Sequence, residues 1–532
     1  MPISAHDALV LTALLAIASG SLVLASRSRI PYPILLVFVG IILALIPGLP
    51  HPELDPKFVL VGILPPLLYS TAFYTSVREL RRNFRPIASL AIGLVFATMA
   101  AVAVVAHTVI PHMSWPVAFV LGAIVAPTDP LAATSIAERI GLPRGLVAVI
   151  EGEGLLNDST ALVLYRFAVV AAVSGAFSFS HATWKFFVSV LGGIGVGLAV
   201  GFVIRQVRRR VDHSPTEITI ALLSGYLAYL PAEALDVSAV LAAVTVGLYM
   251  GWYTPELTTA KTRLQGEAVW EIVTFVLNAT LFTLVGLELR PIVQGIEKRS
   301  TGDLVLWAVV VSLTVVATRA AWSWAGANLQ WRILPLMRDP SRMPSHGILA
   351  VLTWSGMRGA ITLAAALALP LRTDSGAPFP QRDLVVFLAF CVIVATLVVQ
   401  GLTLPALVRA VDLPTDPRER EEEALAWVRA AESGLTRLEE LHEEPWVDPG
   451  VVTRLRDQYE LRMARYAARQ DGQKDHRLEK QVRAGRRLRR ELLDAERNAL
   501  VELRRTGEIS DLVERRVRRE LDFEDARLGG GG

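Results

Sequence analysis

The sequence predicts an all-α polytopic membrane protein with about 13 transmembrane helices and a helical cytoplasmic tail, and three observations carry this. Hydrophobic residues make up 52% of the 532 and mean hydropathy is +0.44, which excludes an ordinary soluble protein. Thirteen apolar stretches precede residue 412, most near the length that crosses about 30 Å of hydrocarbon. The connecting loops alternate in basic charge: one set of alternate loops holds 17 Lys and Arg, the other 7. Basic loops stay cytoplasmic, so the N-terminus is expected outside and the C-terminus inside. The net charge of +3 says little, because the charge is so unevenly placed.

The stretches fall at roughly 7–26, 32–47, 58–75, 87–109, 116–137, 145–173, 184–204, 216–232, 236–252, 267–289, 303–325, 346–370 and 383–410. MPISAHDALV has no basic n-region, so the first stretch reads as a span and not a cleaved signal. The single cysteine, Cys391, permits no disulfide within the chain. Span three contains ILPPLLYS, where Pro65 and Pro66 predict a kink. Span five contains VAPTDPLAA, in which Pro127 and Pro130 bracket Thr128 and Asp129. Two prolines this close break the helix, and the freed backbone is tolerated only against protein or a cavity. Asp129 is read either as part of an ion site or as the cap of the second half-helix, and the two roles are compatible.

The sixth span places charges where they are expensive. GLVAVIEGEGLLNDSTALVLYRFAVVAAV carries Glu151, Glu153, Asn157 and Asp158 in its first half. A carboxylate near the bilayer centre costs at least about 2.5–3.5 kcal/mol and needs a partner, a cavity or an ion. Glu151 and Asp158 are seven apart, nearly on one face, whereas Glu153 and Asn157 share another. One carboxylate is therefore expected to face a wet cavity and the other to face packed protein and a cation. Span eleven holds Arg319, read as lying near the cytoplasmic end and snorkelling. Span twelve holds Arg358 between Gly356 and Gly359, a second interruption with a charge that demands a counter-charge. Spans five and twelve are seven apart and cross in opposite directions. Spans 1–6 and 8–13 are thus expected to form two inverted six-helix repeats, with crossed broken helices at about 116–137 and 346–370.

Residue 412 divides the chain into a transmembrane domain, 1–411, and a cytoplasmic helical tail, 412–532, expected to be regulatory. The tail is rich in Glu and Arg with apolar residues at helical spacing, broken near Pro445, Pro449 and Gly472. LRRELLDAERNALVEL predicts helix pairing or a dimer contact. The basic cluster Arg483–Arg490 reads as a solvated face, a lipid-headgroup contact being the alternative; no nucleic-acid partner is expected. No GxxxxGK[ST] loop, HExxH motif or serine-protease signature is present, so no enzyme activity and no cofactor is expected. Transport driven by an ion gradient, or a channel, remains.

VLGAIVAPTDPLAATSIAERIGLPRG, EGEGLLNDSTALVLYRFA and GMRGAITLAAALALP resemble the monovalent cation:proton antiporter-1 family of sodium/proton exchangers, in motif order and spacing over about 7–410. The resemblance implies a multi-pass plasma-membrane protein, a homodimer in membrane lipid, exchanging monovalent cations for protons. It implies that Asp158 binds Na+ or a proton in turn, that Asn157 holds the geometry, and that Thr128 and Asp129 contribute oxygens. It implies that Glu153 pairs with Arg358. Glu151, nearer the cytoplasm on the face of Asp158, is expected to line an inner funnel. Two positions depart from the family pattern: Ser70 stands where many members have an acid after the proline pair, and Gly154 where many have Ser. Both changes remove oxygen or charge from the expected ion shell, which leaves Na+, Li+ and K+ open as the cation.

Competition at one carboxylate gives the mechanism expected from this resemblance. Asp158 attracts a cation only when deprotonated, so proton and cation exclude each other. With Asn157 in place of a second aspartate, one charge moves each way, and the exchange is expected to be electroneutral unless Asp129 also cycles a proton. The competing readings are a cation channel, which needs a continuous pore, and a membrane sensor whose tail does the work.

Overall fold

A computed structural model describes residue 20 and residues 31–46, 56–131, 133–135, 142–174, 179–296, 299–333, 345–411, 413, 417–470 and 476–529. The regular elements among the described residues are helices, with one isolated bridge between Arg372 and Pro378, and the chain divides into two compact units, Met1–Pro414 and Thr415–Gly532. The expected span at 7–26 and the tail break at Gly472 lie outside the described residues.

The first unit contains α1 (Tyr32–Leu45), α2 (Phe58–Tyr74), α3 (Phe84–Val109), α4 (Trp115–Val125), α5 (Arg144–Ser174), α6 (Phe179–Arg208), α7 (Ser214–Ala234), α8 (Ala239–Leu257) and α9 (Ala260–Leu287). It continues with α10 (Thr301–Ile333), α11 (His346–Trp354), α12 (Ala360–Leu367) and α13 (Arg382–Ala410). Each expected span from 32 to 410 coincides with one of these helices or, for spans five and twelve, with a helix interrupted inside it. The count of thirteen crossings rests on the sequence alone.

These helices pack as two bundles. One is α1, α2 and α6–α9, the other α3–α5 and α10–α13. Within the first, α1 and α9 come close enough that a Cβ on Gly40 or Gly286 would collide with the other helix's backbone, the small-residue packing that substitutes for a hydrophobic driving force inside lipid. Proline shapes α2 as its position predicts. Pro66 offers no N–H to the carbonyl of Gly62, and the turn before it is wound as a π-helix over Phe58–Ile63. The hydroxyl of Tyr226 on α7 donates to that freed carbonyl at 2.5 Å, which satisfies it and ties α2 to its bundle.

The second unit is two helical hairpins. In α14 (Pro417–Leu441) and α15 (Pro449–Gln470), Trp427 stacks on Tyr466 with ring centroids 5.3 Å apart. In α16 (His476–Arg505) and α17 (Asp511–Gly529), Arg497 reaches Asp522 at 3.0 Å and Asp525 at 2.8 Å across the hairpin. The helix pairing expected of LRRELLDAERNALVEL is thus made within the chain, by α17. Gly507, at φ 79°, supplies the left-handed residue that ends α16 and turns the chain.

Candidate functional site

The site forms where the two interrupted helices cross. The chain leaves helical geometry at 127–129 after α4, and again at 356–359 between α11 and α12. The prolines and glycines that forecast these breaks are in place. The amide of Asp129 donates to the carbonyl of Met357 at 2.7 Å, so the two breaks touch.

Opposite helix ends meet at this crossing, and each finds its complement. Val125 closes α4, and its carbonyl accepts from Arg358 Nε at 3.1 Å. Arg358 also donates to the carbonyl of Gly356, just past α11. The guanidinium thus sits against the negative ends of two half-helices. Asp129 does the converse: its Oδ1 accepts from the amide of Leu131 at 2.9 Å, and its other oxygen lies against Gly359, where α12 begins. Asp129 thus caps the turn at Leu131 and sets a carboxylate beside the positive end of α12. The glycines flanking Arg358 also make room. A Cβ on Gly359 would strike Asp129, and one on Gly356 would strike the side chain of Arg319.

The expected Glu153–Arg358 ion pair is not formed; Glu153 pairs with Arg319. Arg319 Nη1 reaches Glu153 Oε1 at 2.5 Å and Nη2 reaches Oε2 at 2.8 Å, a bidentate pair between side chains 1% and 2% exposed. Its Nε donates to the carbonyl of Leu352 at 3.0 Å. The pairing has a physical reason: α10 runs to Ile333, well past the apolar stretch, so Arg319 lies inside the helix and not at its end. A buried guanidinium is expensive unless paired and hydrogen-bonded, and only Glu153 satisfies it in both respects. Arg358 is served by helix-end carbonyls instead.

Thr128 and Asn157 complete this network. The hydroxyl of Thr128 donates to Glu153 Oε1 at 2.9 Å and accepts from Asn157 Nδ2 at 2.7 Å. Asn157 thereby stitches α5 to the break after α4, and its Oδ1 has no hydrogen-bond partner among the described residues. Asp158 stands apart from this network. It is 4% exposed, makes no hydrogen bond or ion pair with any described residue, and lines a cavity of about 50 Å³. Asp129, Thr128 and Gly154 line the same cavity. That volume holds a few water-sized groups. Two carboxylates with hydroxyl and carbonyl oxygens beside them suit a hard monovalent cation.

The remaining expected residues fall elsewhere. Ser70 is buried, donates to the carbonyl of Leu67 at 3.0 Å and does not line the cavity; Thr71, one residue on, does. A third-helix contribution from Ser70 is thus replaced by one from its neighbour, a shift of about 100° around the helix. Glu151 is half-buried on α5 and does not line the cavity either. The departure at Gly154 has a steric cause: a Cβ there would overlap the ring of Pro130. Asn278 on α9, absent from the sequence reading, lines the cavity. Its only signal was one amide in the apolar run VLNATLFTLVGL.

Crossed broken helices with buried carboxylates on one bundle, facing a second bundle across a small cavity, define an ion-coupled secondary transporter. The family described as "Sodium/hydrogen exchanger, transmembrane" matches residues 10–410. A Mycobacterium tuberculosis (strain ATCC 25618 / H37Rv) protein named as an uncharacterized Na(+)/H(+) exchanger is 37% identical over 523 residues, covering 98% of this chain and 96% of its own. The sodium, potassium, lithium and rubidium/H(+) antiporter of Bacillus subtilis (strain 168) is 33% identical, covering 71% of this chain and 58% of its own. The low-affinity Na(+)/H(+) antiporter NhaS1 of Synechocystis is 30% identical, covering 85% and 83%. The sodium proton antiporter MjNhaP1 of Methanocaldococcus jannaschii shares the fold, with a TM-score of 0.61 at 17% identity over 75% of this chain and 97% of that one. The chain belongs to the sodium/hydrogen exchanger family: it is a multi-pass membrane antiporter that exchanges sodium ions for protons, and not an enzyme.

Proposed function

We propose that Asp158 is the carboxylate at which cation and proton alternate, and that Na+ is bound there. The observation that carries this is the contrast between the buried acids. Glu153 is neutralised by Arg319 and Asp129 accepts from the amide of Leu131, whereas Asp158 lines the cavity without a hydrogen-bond or ion-pair partner among the described residues. A buried carboxylate in that position needs either a proton or a cation. Thr128 and Asp129 supply further oxygens, and Asn157 acts by positioning Thr128. Glu153 with Arg319, and Arg358 at the helix ends, hold the frame and do not exchange ions.

With one exchanging carboxylate the stoichiometry is one for one and electroneutral. The bundle carrying Asp158 then exposes its site to either side of the membrane by moving against the other bundle. The cation range is broader than sodium in this reading, because Gly154 adds no hydroxyl to the shell and the Bacillus subtilis relative is named for four cations. The protein is placed in the plasma membrane as a homodimer, N-terminus outside and C-terminus cytoplasmic, with residues 412–532 a regulatory cytoplasmic domain. Its work there is control of internal pH and sodium.

The test is dissipation of an imposed pH gradient in proteoliposomes by sodium, lithium or potassium, with the membrane potential clamped at different values. Sodium-driven proton movement whose rate is independent of potential supports the reading. A rate that follows the potential removes electroneutrality, and proton movement with no added cation removes coupling altogether.

A further inference from the structure

The cavity walls are chemically unequal. The wall carrying Asp158 brings carboxylate, hydroxyl and backbone oxygens. The opposite wall, from α2 and α9, brings Leu64, Leu67, Leu68, Leu281 and Phe282, with two polar exceptions, Thr71 and Asn278. Thr71 is already occupied, its hydroxyl donating to the carbonyl of Leu67 at 2.9 Å. Asn278 is not: it is 4% exposed, and its Oδ1 has no hydrogen-bond partner among the described residues. Leaving a buried amide oxygen unsatisfied is destabilising, because the desolvation of the group is not offset by a hydrogen bond. Leucine has the same number of side-chain heavy atoms and no such cost, and α9 uses leucine three residues later, at Leu281. Among the described residues this oxygen thus stands unpaired on a residue that lines the cavity.

We propose that Asn278 is a cation ligand contributed by the bundle that does not carry Asp158, and that it helps set which cation the exchanger prefers. The proposal rests on exchange at Asp158. A carboxamide oxygen suits an alkali cation as a strong neutral ligand: it replaces a water without adding a charge that would hold the ion or bind a proton. Because it belongs to the other bundle, Asn278 contacts the ion only while the two bundles face each other as they do here. It thus favours the loaded site in this arrangement over the empty one. The polar face below it runs the same way along α9. Thr274, Glu271 and Glu267 precede Asn278 by 4, 7 and 11 residues, within about 60° on the helix. Glu267 lines a second cavity, of about 310 Å³, at the end of α9 that begins at Ala260.

The test compares Asn278→Leu, Asn278→Ala and Asn278→Asp with wild type in proteoliposomes, using sodium, lithium and potassium. Thermal unfolding without cation checks that each variant is folded. Loss of the oxygen in the Leu and Ala variants is expected to raise half-saturating sodium about tenfold, the factor for roughly 1.4 kcal/mol. Their rate at saturating sodium falls far less, and their sodium-to-lithium preference changes. Asn278→Asp keeps an oxygen and does not weaken half-saturation. A folded Leu or Ala variant with wild-type half-saturation for all three cations overturns the proposal. If Asp158→Asn exchanges as well as wild type, the reading of Asp158 fails, and this proposal falls with it.

Discussion

Asp158→Asn is expected to abolish coupled exchange while leaving the protein folded. The substitution nearly preserves shape and removes the carboxylate that, among the described residues, lines the cavity without a hydrogen-bond or ion-pair partner. The attraction lost is large. A unit charge about 4 Å from a cation, at an effective dielectric of 20, contributes roughly 4 kcal/mol, or about three orders of magnitude in cation affinity. A neutral amide also has no proton to return. Stability should change little or rise, because a buried carboxylate without a partner opposes folding. Sodium-driven proton flux and thermal unfolding measured on one preparation separate the two effects. Flux within tenfold of wild type would show that another acid, with Asp129 nearest to hand, carries the exchange.

The second large effect is on stability. Glu153→Gln is expected to cost about 3–5 kcal/mol, the penalty for stranding the Arg319 guanidinium among α5, α10 and α11 without its counter-charge. Thr128 also loses the carboxylate that accepts its hydroxyl. Combining Glu153→Gln with Arg319→Met should recover much of the loss, because the double change removes both charges. Arg358→Met should not be rescued by Glu153→Gln, since these two groups do not form a pair. Thermal unfolding of the single and double variants, read as double-mutant cycles, checks this. Coupling between Glu153 and Arg358 equal to that between Glu153 and Arg319 would contradict the assignment.

Much of this site was legible in the sequence, and the misses share a cause. Pro127, Pro130, Gly356 and Gly359 mark the breaks directly, because proline and glycine act on the local backbone. Helical phase puts Glu153 and Asp158 on different faces, and their separate roles came from the family resemblance. The partner of Glu153 did not, because it depends on how α10 crosses α5, and two intramembrane arginines were on offer. Arg319 lies toward the end of its apolar stretch, 303–325, but the helix runs eight residues beyond that stretch, to Ile333. Ser70 for Thr71 was an error of one position, which on a helix changes the face. Asn278 went unread because a lone amide in an apolar span signals little until its neighbours are known.

The central claim is that proton and cation compete for one carboxylate, and competition has a kinetic signature. Exchange rates would be measured against sodium concentration at several pH values, with pH equal on both sides and the potential clamped. If Asp158 is the shared site, half-saturating sodium rises about tenfold for each pH unit below the range where that carboxyl deprotonates. The rate at saturating sodium returns to a common value, since enough sodium displaces the proton. If lowering the pH cuts the rate at saturating sodium and leaves half-saturation unchanged, protons act at a separate site, and alternate occupancy of Asp158 is wrong.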